Sequence, residues 1–299
     1  MIDNKPGSAA TAALVSSVIL WGLTPVATKF ALQYTTPNFL LLSRFLLTFV
    51  LGLILLPKVH IHTISLKTIA KIISLAVCGI TGYQLLITTA LEHMPASRAG
   101  IVLGVEPTLI QLIALISLGH RITKRSLLAL LLGLGGVVLV SFGESSGHAA
   151  FDIASTGYAL LAALCWSIYV VASRGVAKTV GTFRYSVTST TFGSLTIAVI
   201  ALITHNYSSS EVPKHPYVLL ATIIFLSLFA TVGAMITWNY AARFVSLQLQ
   251  GVTLYAIPLI SAVGGTVLLR EQLPPIVIAG SVAVLSSIHI SRGIIKGKS

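Results

Sequence analysis

The sequence predicts an all-α polytopic membrane protein, with ten transmembrane helices arranged as two inverted five-helix repeats. Three observations carry that expectation. Apolar runs of membrane-spanning length recur from one end of the chain to the other. Basic residues gather in alternate connections, and stretches of the second half of the chain match stretches of the first in the same order.

Of 299 residues, 55% are hydrophobic and 9% are charged, and the mean hydropathy is +0.95. A soluble core has no use for so much apolar sequence, whereas repeated passage through lipid requires it. A helix rises about 1.5 Å per residue, so about 20 largely apolar residues cross about 30 Å of hydrocarbon. On that measure the spans fall at 9–30, 38–56, 68–90, 97–118, 127–143, 154–173, 184–204, 217–238, 246–268 and 275–291. The first lacks the small-residue cleavage site of a secretory signal and runs too long for one, so it is expected as a retained helix. The runs also lack the alternation of an outer-membrane barrel.

The net charge is +12, a value that invites a nucleic-acid reading. Its distribution points elsewhere. With an internal N-terminus, 14 of the 19 basic residues fall on the cytoplasmic side, among them Lys5, Lys58, Lys67, Lys71, Arg121, Lys124, Arg125, Arg174, Lys178 and Arg184. The opposite side holds Lys29, Arg98, Lys214 and Arg270, with the acids Glu92, Glu144, Asp152, Glu211 and Glu271. This positive-inside bias places both termini in the cytoplasm. Phosphate-tracking surfaces instead cluster their bases on one folded face, so no nucleic-acid partner is expected. Cys78 and Cys165 lie within spans and read as small apolar packing residues. The histidines show no metal-binding spacing, so no metal and no cofactor are expected.

The repeat is visible in LEHMPASRAGIVLGVEPTLI (91–110) against ARFVSLQLQGVTLYAIPLIS (242–261). At an offset of 151, Gly82 meets Gly233, Gly100 meets Gly251 and Pro107 meets Pro258. At a separate offset of 145, the starts ILWGLTPVATKF and LCWSIYVVASRG align Trp21 with Trp166 and Lys29 with Arg174. Five spans is an odd number, so the second copy enters the membrane from the other side. The repeats, 9–143 and 154–295, are then related by an axis in the membrane plane. Two similar-energy states, each open to one side, follow naturally from such symmetry.

These residues carry a family resemblance. The span starts around Trp21 and Trp166, Arg44 in SRFLL, the ALEHMPASRAG stretch with its proline, and AARFVSLQLQG with its proline and LLREQL all resemble the EamA-type drug/metabolite transporters. The resemblance covers about 9–295. It implies ten helices and movement of small organic solutes across the cytoplasmic (inner) membrane, including amino acids, nucleobases and amphiphilic compounds. Family members typically carry an acid where the fourth span of a repeat gives way to the fifth. Glu271 fits that pattern, while His120 stands there in the first repeat.

In span 1, Ser17, Trp21, Thr24 and Thr28 form one stripe, and in span 6 Ala162, Trp166, Tyr169 and Ser173 form its equivalent. A ring offers apolar area and a hydroxyl fixes orientation, so Trp21, Thr24, Trp166 and Tyr169 are candidate solute-binding residues. Helix packing through small and hydroxyl residues is the other reading. Span 3 adds Gln84 beside Thr81 and Thr88. Span 8 adds Trp238 and Asn239, with Tyr240, where an interfacial aromatic belt is the alternative. Span 9 offers Gln250 and, deeper, Tyr255.

Glu106 is the one acid deep within a span, and Pro107 follows it at once. A charge at mid-bilayer costs about 2.5–3.5 kcal/mol or more, so it should face protein or water. Arg44 lies at comparable depth in span 2, so an ion pair is one reading. A carboxylate that binds a proton or a cation is another, and a permanently neutral acid donating one hydrogen bond is the third. Pro107 and Pro258 are expected to bend spans 4 and 9, and Pro25 span 1.

The spans hold no catalytic His–Glu spacing, aspartate pair or phosphate-cradling loop, so no enzyme is expected. A secondary transporter coupled to H+ or to a counter-solute fits best. A passive pore is the alternative, and an intramembrane enzyme a more remote one. The solute, the direction of movement and the oligomeric state are open at this level.

Overall fold

The computed structural model describes residues 7–93, 102–118, 123–143, 153–204, 215–269 and 275–292. Helices α1 (Ser8–Ala31) and α2 (Pro37–Leu55) are followed by α3 (Leu66–Ala76), a π-helical segment π1 (Val77–Gly82) and α4 (Tyr83–His93). Next come α5 (Glu106–Leu118), α6 (Lys124–Gly143), α7 (Ile153–Val180) and α8 (Thr182–Thr204). Helix α9 (Pro216–Ile224), the π-helical segment π2 (Phe225–Gly233) and α10 (Ala234–Ala242) form one continuous rod. Helices α11 (Leu247–Thr253), α12 (Ala256–Leu269) and α13 (Pro275–Arg292) complete the chain.

Among the described residues there is no strand, as expected where lipid cannot satisfy an open backbone edge. Among the described residues, six helical stretches are long and apolar enough to cross a membrane: Ser8–Ala31, Asn38–Val59, Leu66–Ala90, Ile153–Val180, Thr182–Ile203 and Pro216–Ala242. Shorter apolar helices include Glu106–Ser117 and Ile278–Ser287. The protein is a multi-pass, all-helical membrane protein. Polar caps start several helices where the sequence supplies a hydroxyl: Thr36 accepts from the Phe39 N–H at 3.4 Å and Ser246 from the Leu249 N–H at 3.1 Å.

Spans 4 and 9 do not bend at their prolines as expected; they break just before them. Residues 104–105 and 254–255 are turns, after which α5 restarts at Glu106 and α12 at Ala256. Around these breaks the backbone closes shorter rings, with the Val105 N–H bonding Val102 O at 3.2 Å and the Tyr255 N–H bonding Val252 O at 3.2 Å. Pro107 and Pro258 then occupy the first turn of a new helix, where a missing N–H costs nothing. Pro25, by contrast, sits inside a continuous α1. Gly100, His120, Arg270 and Glu271 lie outside the described residues.

The two π segments end on Gly82 and Gly233, the pair that the offset of 151 brings together. A Cβ on Gly82 would sit 3.3 Å from Val77 O, and one on Gly233 3.2 Å from Leu228 O. Both crowd the carbonyl five residues back, the one that a π turn brings round. Glycine removes that conflict. Within π2 a side chain also bonds a backbone carbonyl five residues back: Thr231 Oγ1 donates to Leu226 O at 2.8 Å.

Packing pairs corresponding elements across the chain. Helix α1 packs on α10 and α12, and its sequence counterpart α7 packs on α4 and α5. Helix α2 packs on π2 and α8 packs on π1, while α2 meets α8 and α6 meets α13. The main apolar cluster draws on both halves, from Leu14, Val18 and Phe45 to Tyr169, Trp238 and Leu249.

Candidate functional site

The three tryptophans of the chain meet at the junction of α1, α7 and α10. Trp21 stands edge-on to Trp166, with ring centroids 5.3 Å apart at 82°, and lies 5.0 Å from Trp238. Trp166 and Trp238 are 6.4 Å apart. Gly22 follows Trp21 and Ser167 follows Trp166, and the two rings meet between α1 and α7. Trp238 is 1% exposed, so it belongs to the interior and not to an interfacial belt. Tyr240, 38% exposed and against Phe244 at 5.1 Å, occupies the outer surface.

Two tyrosines extend the array from Trp166. Tyr169 stacks on it at 5.4 Å and 20°, with its hydroxyl 3.3 Å from Ser189 Oγ. Tyr83 of α4 lies 5.7 Å away on the other side. Trp21, Thr24, Tyr83, Gln84 and Arg44 are half-buried, while Trp166, Tyr169, Trp238 and Asn239 are buried behind them. Thr24 donates back to Leu20 O at 2.9 Å, Gln84 Nε2 to Thr88 Oγ1 at 3.3 Å and Asn239 Nδ2 to Met235 O at 2.9 Å. The Thr24 and Asn239 bonds return to their own backbones, and all three remain within one helix.

Glu106 is 7% exposed and stands at the first position of α5, against the positive end of that helix's dipole. Its backbone oxygen accepts from Ser167 Oγ at 3.3 Å, which ties α5 to the residue next to Trp166. Carboxylate oxygen Oε1 is buried without a hydrogen-bond partner among the described residues.

The Arg44–Glu106 ion pair that equal depth suggests is not formed. Arg44 instead directs Nε and Nη2 to Thr231 Oγ1, at 3.3 and 3.0 Å, and lies 5.1 Å from the Phe45 ring centroid. Ser227 Oγ donates to the Arg44 backbone oxygen at 2.8 Å. The physical reason is lateral position: α2 packs on α8 and π2, whereas α5 packs on α7 and α11. Depth along the membrane normal does not decide which helices are neighbours.

Tyr255 lies in the break between α11 and α12, 1% exposed, and packs with Leu130, Val137, Val252 and Val284 rather than with the tryptophans. Its hydroxyl donates to Leu130 O at 3.2 Å. Gln250, which span position left near the interface, is buried, with Nε2 donating to Trp238 O at 3.2 Å. Its Oε1 accepts from Arg174 Nη1 at 3.3 Å, and Arg174 Nη2 bonds Ala242 O and Val245 O. Sequence reasoning passed over Arg174, Thr231 and Tyr83. Arg174 had one available signal, its alignment with Lys29; Tyr83 and Thr231 stand in apolar spans with nothing local to mark them.

This arrangement is an aromatic array between two halves of a helical membrane protein, with one unpaired carboxyl beside it. Comparison with known proteins identifies the scaffold. The EamA-like transporter family model matches residues 8–142 and again 155–292. The chain belongs to the EamA-like transporter family. A transporter of Archaeoglobus fulgidus, of uncharacterised substrate, is 25% identical over 93% of this chain and 96% of its own. The aromatic amino acid exporter YddG of Ancylobacter novellus is 29% identical over 73% of this chain and 71% of its own. A solved crystal structure superimposes with a TM-score of 0.79 at 20% identity, covering 97% of this chain and 98% of the other, a likeness of fold. As an EamA-like transporter the protein moves solute across a membrane, and Cys78 and Cys165 of this transporter are free thiols, the former donating to Cys165 O at 3.9 Å.

Proposed function

We propose that this transporter is a secondary carrier for a small organic metabolite, amino acids first among them, in the cytoplasmic membrane. It works by alternating access between two inverted five-helix repeats, 9–143 and 154–295, with ten spans and both termini in the cytoplasm. The carrying observation is the contact between Trp21 and Trp166, equivalent residues of the two halves, at 5.3 Å. Residues related by a twofold axis touch each other only where that axis passes. A solute seated at Trp21, Trp166 and Trp238 therefore stands between the parts that rock. The paired helix breaks at 104–105 and 254–255 and the cross-matched packing of α1 and α7 support the same reading. The name of the Ancylobacter novellus relative, an aromatic amino acid exporter, agrees with an aromatic-lined seat.

Thr24, Gln84, Tyr169 and Asn239 supply polar edges to that seat and Glu106 supplies charge, Arg44 acts on it from its anchor on Thr231, and Pro25, Pro107 and Pro258 mark the hinge positions. Tyr255 acts on it through packing. Uphill movement draws on H+ or on exchange with a counter-solute.

Reconstituted vesicles loaded with single amino acids test the proposal. Uptake of the labelled solute should saturate, and internal unlabelled solute should drive transient counterflow. Linear flux without counterflow would point to a pore instead.

A further inference from the structure

We propose that Glu106 is the recognition point for a primary ammonium group on the transported solute, next to the aromatic array that Trp166 joins. The inference rests on the carrier reading above and deepens it by naming the chemistry that one end of the solute must carry. Its basis is an acceptor left without a donor. Glu106 is 7% exposed and its Oε1 has no hydrogen-bond partner among the described residues. A buried polar atom without a partner loses its hydration and regains nothing, and charged groups lose most. Arg44 does not supply the missing donor, because it is committed to Thr231 on another side of the bundle.

The surroundings select among the possible occupants. An ammonium group presents three N–H donors and no acceptor. Around Glu106 those donors meet a carboxylate oxygen, and Ser167, whose Oγ bonds the Glu106 backbone oxygen at 3.3 Å, stands next to Trp166 in the chain. Indole is the ring that best attracts a cation over its face. A proton alone would have no use for an aromatic array. A metal ion would need several hard ligands, and no group of three His, Cys, Asp or Glu residues stands together among the described residues.

The carboxylate end of an amino acid is not held by Arg44 at the same time. Arg44 Nε and Nη2 are given to Thr231 Oγ1, and α2 packs on α8 and π2 whereas α5 packs on α7 and α11. Recognition at Glu106 is therefore of the amine alone.

Three probes of one shape separate the chemistry: phenethylamine, 2-phenylethanol and phenylacetate, titrated into the purified protein by calorimetry. The amine should bind roughly tenfold or more tighter than the alcohol, about what one charge-assisted contact supplies. Glu106→Gln should abolish that preference while leaving the alcohol's affinity near wild type, and Glu106→Asp should retain part of it. Trp166→Phe should weaken all three. An amine bound no tighter than the alcohol, or a preference that survives Glu106→Gln, overturns the proposal. Counterflow in vesicles is the separate readout. Flux without amine preference removes this inference and leaves the carrier, whereas absence of saturable flux for every solute removes both.

Discussion

Arg44 donates from both Nε and Nη2 to the single hydroxyl of Thr231, which itself donates to Leu226 O at 2.8 Å. A cation within a membrane helix is thus anchored, through one hydroxyl, on a backbone carbonyl of a π segment. The arrangement joins the second helix of one half to the third helix of the other. On the far side of the molecule, Thr81 of π1 donates to Gly193 O of α8 at 3.1 Å, so both junctions are latched through a threonine in a π segment.

If the Arg44 anchor is separate from Glu106, the two sites should behave independently. The double change Arg44→Gln with Glu106→Gln should show losses that add to within about 0.5 kcal/mol, as expected for residues without a shared partner. Thermal unfolding of the two single variants and the double variant checks this. Rescue of either single change by the other would restore the ion pair that the structure lacks.

Thr231→Val should lower stability more than Thr81→Val. Loss of the Thr231 hydroxyl strands the guanidinium of Arg44, and breaking a partner of a buried charge costs about 1–3 kcal/mol. Thr81 leaves only neutral groups behind. Unfolding midpoints in one detergent rank the pair.

Gly133→Ala should destabilise by about 1–3 kcal/mol, the usual cost of overpacking. A Cβ there would collide with the Tyr255 ring, which is held in place by its bond to Leu130 O. Gly133→Ala combined with Tyr255→Leu should recover much of the loss. A single variant as stable as wild type would mean that Tyr255 moves freely.

Trp21→Phe and Trp166→Phe should each raise the KM for an aromatic solute about two- to tenfold while the protein stays abundant in the membrane. One aromatic contact beyond area burial is worth about 0.5–1.5 kcal/mol, and Phe keeps most of the packing. Counterflow rates against solute concentration measure it. A change in abundance with KM unmoved would make the two rings packing residues.

Reporter fusions at the C-terminus and in the 144–152 connection should report opposite sides of the membrane. This follows from the bias of basic residues toward alternate connections. Finding both on one side would remove the inverted relation of the halves.

Much of this protein was legible in its sequence. Hydropathy and run length act locally, so the membrane-embedded helical character and the EamA-like family could be read without coordinates. The match of Gly82 with Gly233 and of Trp21 with Trp166 was also visible, because repeat signals survive as spacing along the chain. Tertiary structure decided what those positions do. It turned the glycine pair into the ends of two π segments and the tryptophan pair into one contact with Trp238. It replaced bends at Pro107 and Pro258 by full helix breaks. It separated Arg44 from Glu106 and withdrew Tyr255 from the aromatic array. The reason is that apolar periodicity sets the depth and the facing of a helix toward protein or lipid. Which helix stands beside it is set by packing between residues far apart along the chain, and no local pattern encodes that choice.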